Sequence, residues 1–245
     1  FEIANLGDTH WDLACFRGRH PYENMGDIPA LYRRYEAATG TTVDLRVGGY
    51  YTVAFLQLSA IGATFFMMPE VRGANWIEGM LERASITRRA VEAIAELRGI
   101  TLDHDLHLPE SMSEPMPESV ETSGLRKLLF DIGRLPTSTA FESWERDLMA
   151  AIPELLLNNA RYRDWFEDET IADAERMLGQ SFDDLDSADA ALRAATAAAN
   201  EDDEDELVRI MHRRALRLSM ITAGTDPDEA NPFFYVLEPI LDPRS

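Results

Sequence analysis

The sequence predicts an all-α protein. Apolar residues recur at helical rather than alternating spacing through most of its 245 residues. Capping residues and glycine stops bracket those stretches, and strand signals are nearly absent. Ile3–Leu6 is the one exception, reading as the end of a strand that begins upstream.

Each element has its own signature. Cys15 falls in a helix that follows Asp12-Leu13-Ala14, where a buried structural thiol is expected. In Gly26-Asp27-Ile28-Pro29, Asp27 is an N-cap and Pro29 lies in the first turn of a helix that puts Leu31, Tyr35 and Ala38 on one face and stops at Gly40. Val47–Phe66 is apolar almost all round and so predicted to be internal, with Pro69 beyond its end. A third helix runs from Asn75 to Leu97, closed by Gly99, with Ile77, Met80, Leu81, Ala84, Ile94 and Leu97 inward. Thr101–Ser119 carries three prolines and no periodicity, which marks a linker. Beyond it Val120–Arg134, Thr139–Phe166, Glu169–Leu178, Ser187–Asn200 and Asp203–Thr222 read as helices. Pro153 is a candidate break in the second of these. The last has acids at its front and arginines behind, the polarity that a helix dipole favours. The predicted organisation is a helical subdomain over 1–100, a linker over 101–119 and an acidic helical domain over 120–245.

Composition narrows the function. Net charge is −21, which argues against binding nucleic acid through its phosphates. Residues 1–100 hold 10 basic and 12 acidic side chains, a net of −2, so the remaining −19 lies in 101–245. No apolar run reaches membrane-spanning length and no signal-peptide pattern is seen, so no membrane association and a cytoplasmic location are expected. A single cysteine excludes an intrachain disulfide and a cysteine-based zinc site.

One motif carries chemistry. The chain opens FEIANLGDTHWDLA, with Gly7-Asp8 followed four residues later by Asp12-Leu13-Ala14. This run resembles the end of the active site in aminoglycoside-phosphotransferase-like kinases, a family that includes choline-kinase-like enzymes. There a magnesium-binding Asp is followed by an aromatic residue and often Glu, then by Gly-Asp, usually Pro, and Asp-Leu-Ala. Phe1-Glu2 would follow the metal Asp directly, and Thr9 stands where Pro is common. The Tyr32–Glu36 helix, the Ala38–Asp44 turn and the long apolar helix after it also look like the family's C-lobe, so the resemblance spans about residues 1–100.

The resemblance implies the C-lobe of a protein-kinase-like fold, followed by the acidic helical bundle. It implies ATP-dependent phosphoryl transfer to a hydroxyl of a small molecule, with ATP and Mg²⁺ as cofactors of an intact parent enzyme. Asp8 and Asp12 would support the metal and catalytic loops, and Glu2 would neighbour the metal. The chain has no Gly-rich phosphate loop and no His-Gly-Asp segment, and its metal Asp would stand one residue before Phe1. No catalytic residue, metal ligand or cofactor is therefore expected on this chain itself, which reads as the inactive back half of a longer polypeptide. Surface or capping roles for Asp8 and Asp12 are the plainer alternative. The alternative for the whole chain is a non-catalytic helical interaction or regulatory protein.

Other candidates are weaker. Asp103-His104-Asp105-Leu106-His107 has ligand-type residues at close spacing, although polar residues are expected in a linker. The six acids Glu201–Glu206 lack the glycine and alternation of a calcium loop and read as a solvated helix start capped by Asn200 and Asp202. His212 sits on a basic helix end and suggests no catalytic role. Trp11, Trp76, Trp144 and Trp165 read as core or interface aromatics. The apolar Asn231–Leu237 tail is expected either to dock on the helices or to serve as an oligomer contact.

Overall fold

The computed structural model describes residues 7–23, 25–68, 76–105, 108–113, 116, 118–222 and 236–241. Among them the chain is all-α, with eight helices and no strand. They are α1 (Thr9–Glu23), α2 (Ile28–Thr39), α3 (Leu45–Phe66), α4 (Trp76–Arg98), α5 (Val120–Gly133), α6 (Ala140–Leu178), α7 (Leu185–Ala198) and α8 (Glu201–Thr222). A single 3₁₀ turn, Glu110–Ser113, interrupts the stretch between α4 and α5. The predicted strand end at Ile3–Leu6 lies outside the described residues.

Local chemistry sets most boundaries. Asp27 caps α2 by accepting from the Ala30 N–H at 2.6 Å, and Gly40 ends it at φ 71°, a conformation that glycine adopts without a Cβ clash. Asp44 caps α3 through the Arg46 and Val47 N–H groups. Ser119, Thr139 and Asp184 open α5, α6 and α7 with reciprocal capping boxes.

Two expectations are corrected. The stretches Thr139–Phe166 and Glu169–Leu178 form one continuous helix of 39 residues, and Pro153 lies inside it. A proline deletes one backbone donor, but Pro153 is itself buried, as are Ala151 and Leu155 on either side of it, and that burial outweighs local propensity. Helix α3 is internal along one stripe only. Gly48, Gly49, Thr52, Phe55, Leu56 and Ala63 are buried, whereas Tyr50, Leu58, Ile61 and Phe65 face outward. No helix among the described residues is long and apolar enough to cross a membrane.

Helices α3 and α4 make the most extensive pair. They run antiparallel, with Gly49 of α3 against Leu97 at the end of α4, and Gly79 of α4 against Ala63 and Phe66 at the end of α3. A Cβ on Gly79 would stand 2.9 Å from the Phe66 Cβ and 3.2 Å from the Ala63 carbonyl oxygen, so the backbones meet only because it has none. Helix α1 packs across α3, where Trp11 meets Tyr51 and Phe55 edge-on at 5.9 and 6.1 Å.

The other face of α4 receives α8. Arg98 at the end of α4 pairs with Glu204 and Asp205 at the start of α8, at 2.5 and 3.0 Å, while Glu92 faces His212. Those pairings fix the two helices antiparallel and give part of the acidic run a partner. Helix α6 closes the other side of α8 around Leu155, Tyr162, Trp165, Phe166 and Ile221. The described end of the chain, 236–241, returns to the first helices, where Ile240 packs with Leu13, Ile28, Tyr32 and Val43. Docking is thus the observed outcome for Leu237 of the tail and for Ile240 after it, while Val236 is exposed and 231–235 lie outside the described residues.

Because the Gly79 approach involves backbone, Gly79→Ala is expected to lower stability by about 1–3 kcal/mol in urea unfolding. Gly62, exposed on α3 with nothing near its missing Cβ, is the control. There Gly→Ala should raise stability by about 0.5–1 kcal/mol.

Candidate functional site

The described part of the opening motif, from Gly7 on, leads into the first turn of α1. Leu13 and Ala14 are buried, and Asp12 is exposed in that turn, where the positive end of the helix dipole suits a carboxylate. Asp8 immediately precedes the helix, and its Oδ1 accepts from the His10 N–H at 3.0 Å and from His10 Nδ1 at 2.6 Å. The far nitrogen, His10 Nε2, accepts from the Asp44 N–H at 3.0 Å. Since Nε2 accepts a hydrogen bond from the Asp44 backbone N–H, Nδ1 is the nitrogen that bears the hydrogen and donates to Asp8. This relay ties the Gly-Asp pair to the cap of α3. Hydrogen bonding by His10 holds the Asp8 carboxyl below its ordinary range. Glu2 lies outside the described residues. Cys15 is half-buried, and burial pushes its thiol up to about 11.

A second centre forms on α4, away from the motif. Glu92 and Glu96 stand one turn apart and both gather backbone donors from the returning tail. Glu92 Oε2 accepts from the Leu237 N–H at 2.8 Å, and Glu96 Oε1 accepts from the Ile240 and Leu241 N–H groups at 2.6 and 2.9 Å. Arg17, buried on α1, donates to Glu96 Oε2 at 2.6 Å and to the Glu238 carbonyl at 2.9 Å.

Glu92 Oε1 is the focus of the centre. Arg88 Nε donates to it at 2.8 Å, His212 Nε2 stands 3.4 Å away and His104 Nδ1 3.7 Å away. The two imidazoles meet edge to face at 4.9 Å. Glu92 Oε1, His104 Nδ1 and His212 Nε2 all lie within 4.8 Å of one another, a set of metal-ligating atoms. Glu92 and His104 border a cleft of about 340 Å³ that Arg17, Glu96 and Leu237 also line. Burial pushes the Glu92 carboxyl up, but the His212 hydrogen bond, the Arg88 charge and the Leu237 N–H outweigh it and hold it below the ordinary range. Burial lowers His104, and the Arg88 and His212 charges add to that against the opposing pull of Glu92 and Asp103.

Sequence reasoning singled out His104 but paired it with His107, which lies outside the described residues. Its neighbours are Glu92 and His212, the first not singled out at all and the second judged to need no role. His212 is in fact 1% exposed. A usable signal existed. Ala84, Ser85, Ala90, Ala93 and Ala95 surround Arg88, Arg89 and Glu92 on α4, and small residues on every side leave no solvated face for those charges.

A third cluster is structural. Asp173 on α6, 2% exposed, accepts from Arg213 at 2.8 Å, Arg217 at 2.7 Å and Arg176 at 2.7 Å. Burial raises its carboxyl, yet the arginines outweigh it and keep it below its ordinary value. No family model, curated protein or solved structure matches the chain.

Two outcomes follow from these charges. Asp173→Ala leaves guanidinium groups around a buried void and should cost about 3–5 kcal/mol in urea unfolding. For pH, His104 binds its proton less readily folded than unfolded, so stability falls as pH drops below its ordinary value of 6.5. Glu92 is shifted down, so its contribution is complete above 4.5 and is lost as pH falls through its folded value. Thermal melts should therefore show stability starting to fall below pH 6.5 and falling further below 4.5, and His104→Gln should remove the part that begins at 6.5.

Proposed function

We propose that residues 7–100 form the acceptor-side helical lobe of a small-molecule phosphotransferase that carries a phosphoryl group from ATP to a hydroxyl. The first turn of α1 is the observation that carries this reading. Its Leu-Ala step is buried and anchors the helix, while Asp8 and Asp12 remain exposed and the His10 relay holds Asp8 in place. Phosphoryl transfer depends on positioning and charge neutralisation, so the loops bearing metal and catalytic Asp must be held rigidly. Carboxylates at a braced helix start can do so by accepting backbone N–H bonds from those loops. ATP and Mg²⁺ would be held by a phosphate loop and a metal Asp that are not among these 245 residues. The acceptor is a small molecule with a free hydroxyl.

A second reading is a non-catalytic interaction role for 120–245. The α5–α6 hairpin favours it, since Leu128, Phe130 and Phe141 are 49%, 57% and 64% exposed there.

On the first reading the 245-residue chain alone turns over no ATP. The protein translated from the whole reading frame should bind MgATP in calorimetry. In it Asp12→Asn should lower kcat about 10–100-fold, as loss of a group supporting a metal loop does, without moving the melting temperature. A whole-frame protein that fails to bind MgATP overturns the phosphotransferase reading and leaves the interaction role.

A further inference from the structure

We propose that Glu92, His104 and His212 bind a divalent transition-metal ion, with zinc the best match, which clamps the stretch after α4 against the α4–α8 pair. The proposal is independent of the phosphotransferase reading.

The ligand set is chemically specific. Two imidazoles and one carboxylate are the three protein ligands of open zinc sites, which keep a fourth position for water or another oxygen ligand. Imidazole also selects zinc, copper or nickel over magnesium and calcium, which prefer all-oxygen shells. Geometry agrees. Around a tetrahedral zinc ion with bonds of about 2.0–2.1 Å, the ligand atoms stand about 3.3–3.4 Å apart. His212 Nε2 is 3.4 Å and His104 Nδ1 3.7 Å from Glu92 Oε1, so two edges of the tetrahedron are close to formed. The remaining edge lies within 4.8 Å, and His104, half-exposed on irregular backbone, has the freedom to close it.

The carboxylate is oriented beforehand. Leu237 N–H holds Oε2, and Arg88 donates to Oε1, whose other lone pair faces His212 Nε2 at 3.4 Å, where an ion would take the place of that long hydrogen bond. Arg88 opposes a cation here, and Glu92 and Asp103 oppose it in turn. Each ligand comes from a different part of the chain: α4, the irregular stretch 101–105 and α8. An ion here would therefore act as a cross-link between segments 12 and 120 residues away from Glu92. The open position would face the 340 Å³ cleft, accessible to water or a small anion.

The test is a Co²⁺ titration of the metal-stripped, tag-free 245-residue chain, followed through the visible absorption of tetrahedral cobalt. One equivalent should bind, Zn²⁺ should displace it, and Zn²⁺ should raise the melting temperature. His104→Ala should weaken cobalt binding at least tenfold. Because His104 is half-exposed outside any helix, the metal-free variant should melt close to the parent. His10→Ala, removing a histidine far from the cluster in sequence, should bind cobalt like the parent. Absence of the cobalt spectrum, or equal binding by His104→Ala, overturns the proposal.

Discussion

The structure depends on two carboxylates one turn apart on α4, Glu92 buried and Glu96 part-buried. The 236–241 segment has no helix of its own, yet Leu237 and Ile240 are buried, so its backbone N–H groups must find acceptors inside the protein. The two glutamates supply them, and Arg17, Arg88 and His212 balance the charge. Were the carboxylates replaced by apolar side chains, the tail would bury unsatisfied donors. Were the tail removed, the carboxylates would lose part of what compensates their own burial. First helix, central helix and described end of the chain are thus a single unit of mutual satisfaction. They meet where the imidazoles of His104 and His212 also converge.

The strongly negative chain manages its charge through directed pairings rather than by dilution. Arginines of α8 converge on Asp173 and Asp189, while the acids at its start face Arg98. Each of these contacts joins α8 to a different helix. The charge segregation along α8 that the dipole favours therefore also serves as an address, fixing which neighbour lies beside which turn.

Much of the fold was legible because helix starts and stops are local chemistry. Asp27 and Gly40 are a cap and a stop wherever α2 packs, and the 120–134 and 203–222 stretches differ from their helices by no more than two residues at either end. What escaped the sequence is what depends on distant residues. Pro153 stays helical because of what it is buried against, which no window around it reveals. Outward-facing α3 residues looked internal because hydrophobicity alone cannot say which sides have neighbours. The α4 cluster was the hardest to see. Glu92 resembles an ordinary surface acid paired with Arg88 four residues earlier, and its decisive partners lie 12, 120 and 145 residues away. The Gly7-Asp8 and Asp12 spacing is local and visible in the sequence, whereas the contact from Asp8 through His10 to Asp44 spans 34 residues from His10 and is not.

The return of the tail has a consequence for the order of events during synthesis. Contacts within α5–α6 and α3–α4 close short loops and can form as soon as each helix pair emerges. Glu92 and Glu96, by contrast, wait about 145 residues for the N–H groups they hold. A ribosome-bound chain that has not yet exposed 236–241 therefore carries central acids that have their arginine partners but lack these backbone donors. Emergence of 236–241 is the step that supplies those donors and ties α1, α4 and this segment together, so the arrangement around Glu92 and Glu96 closes only after the eight described helices have been made.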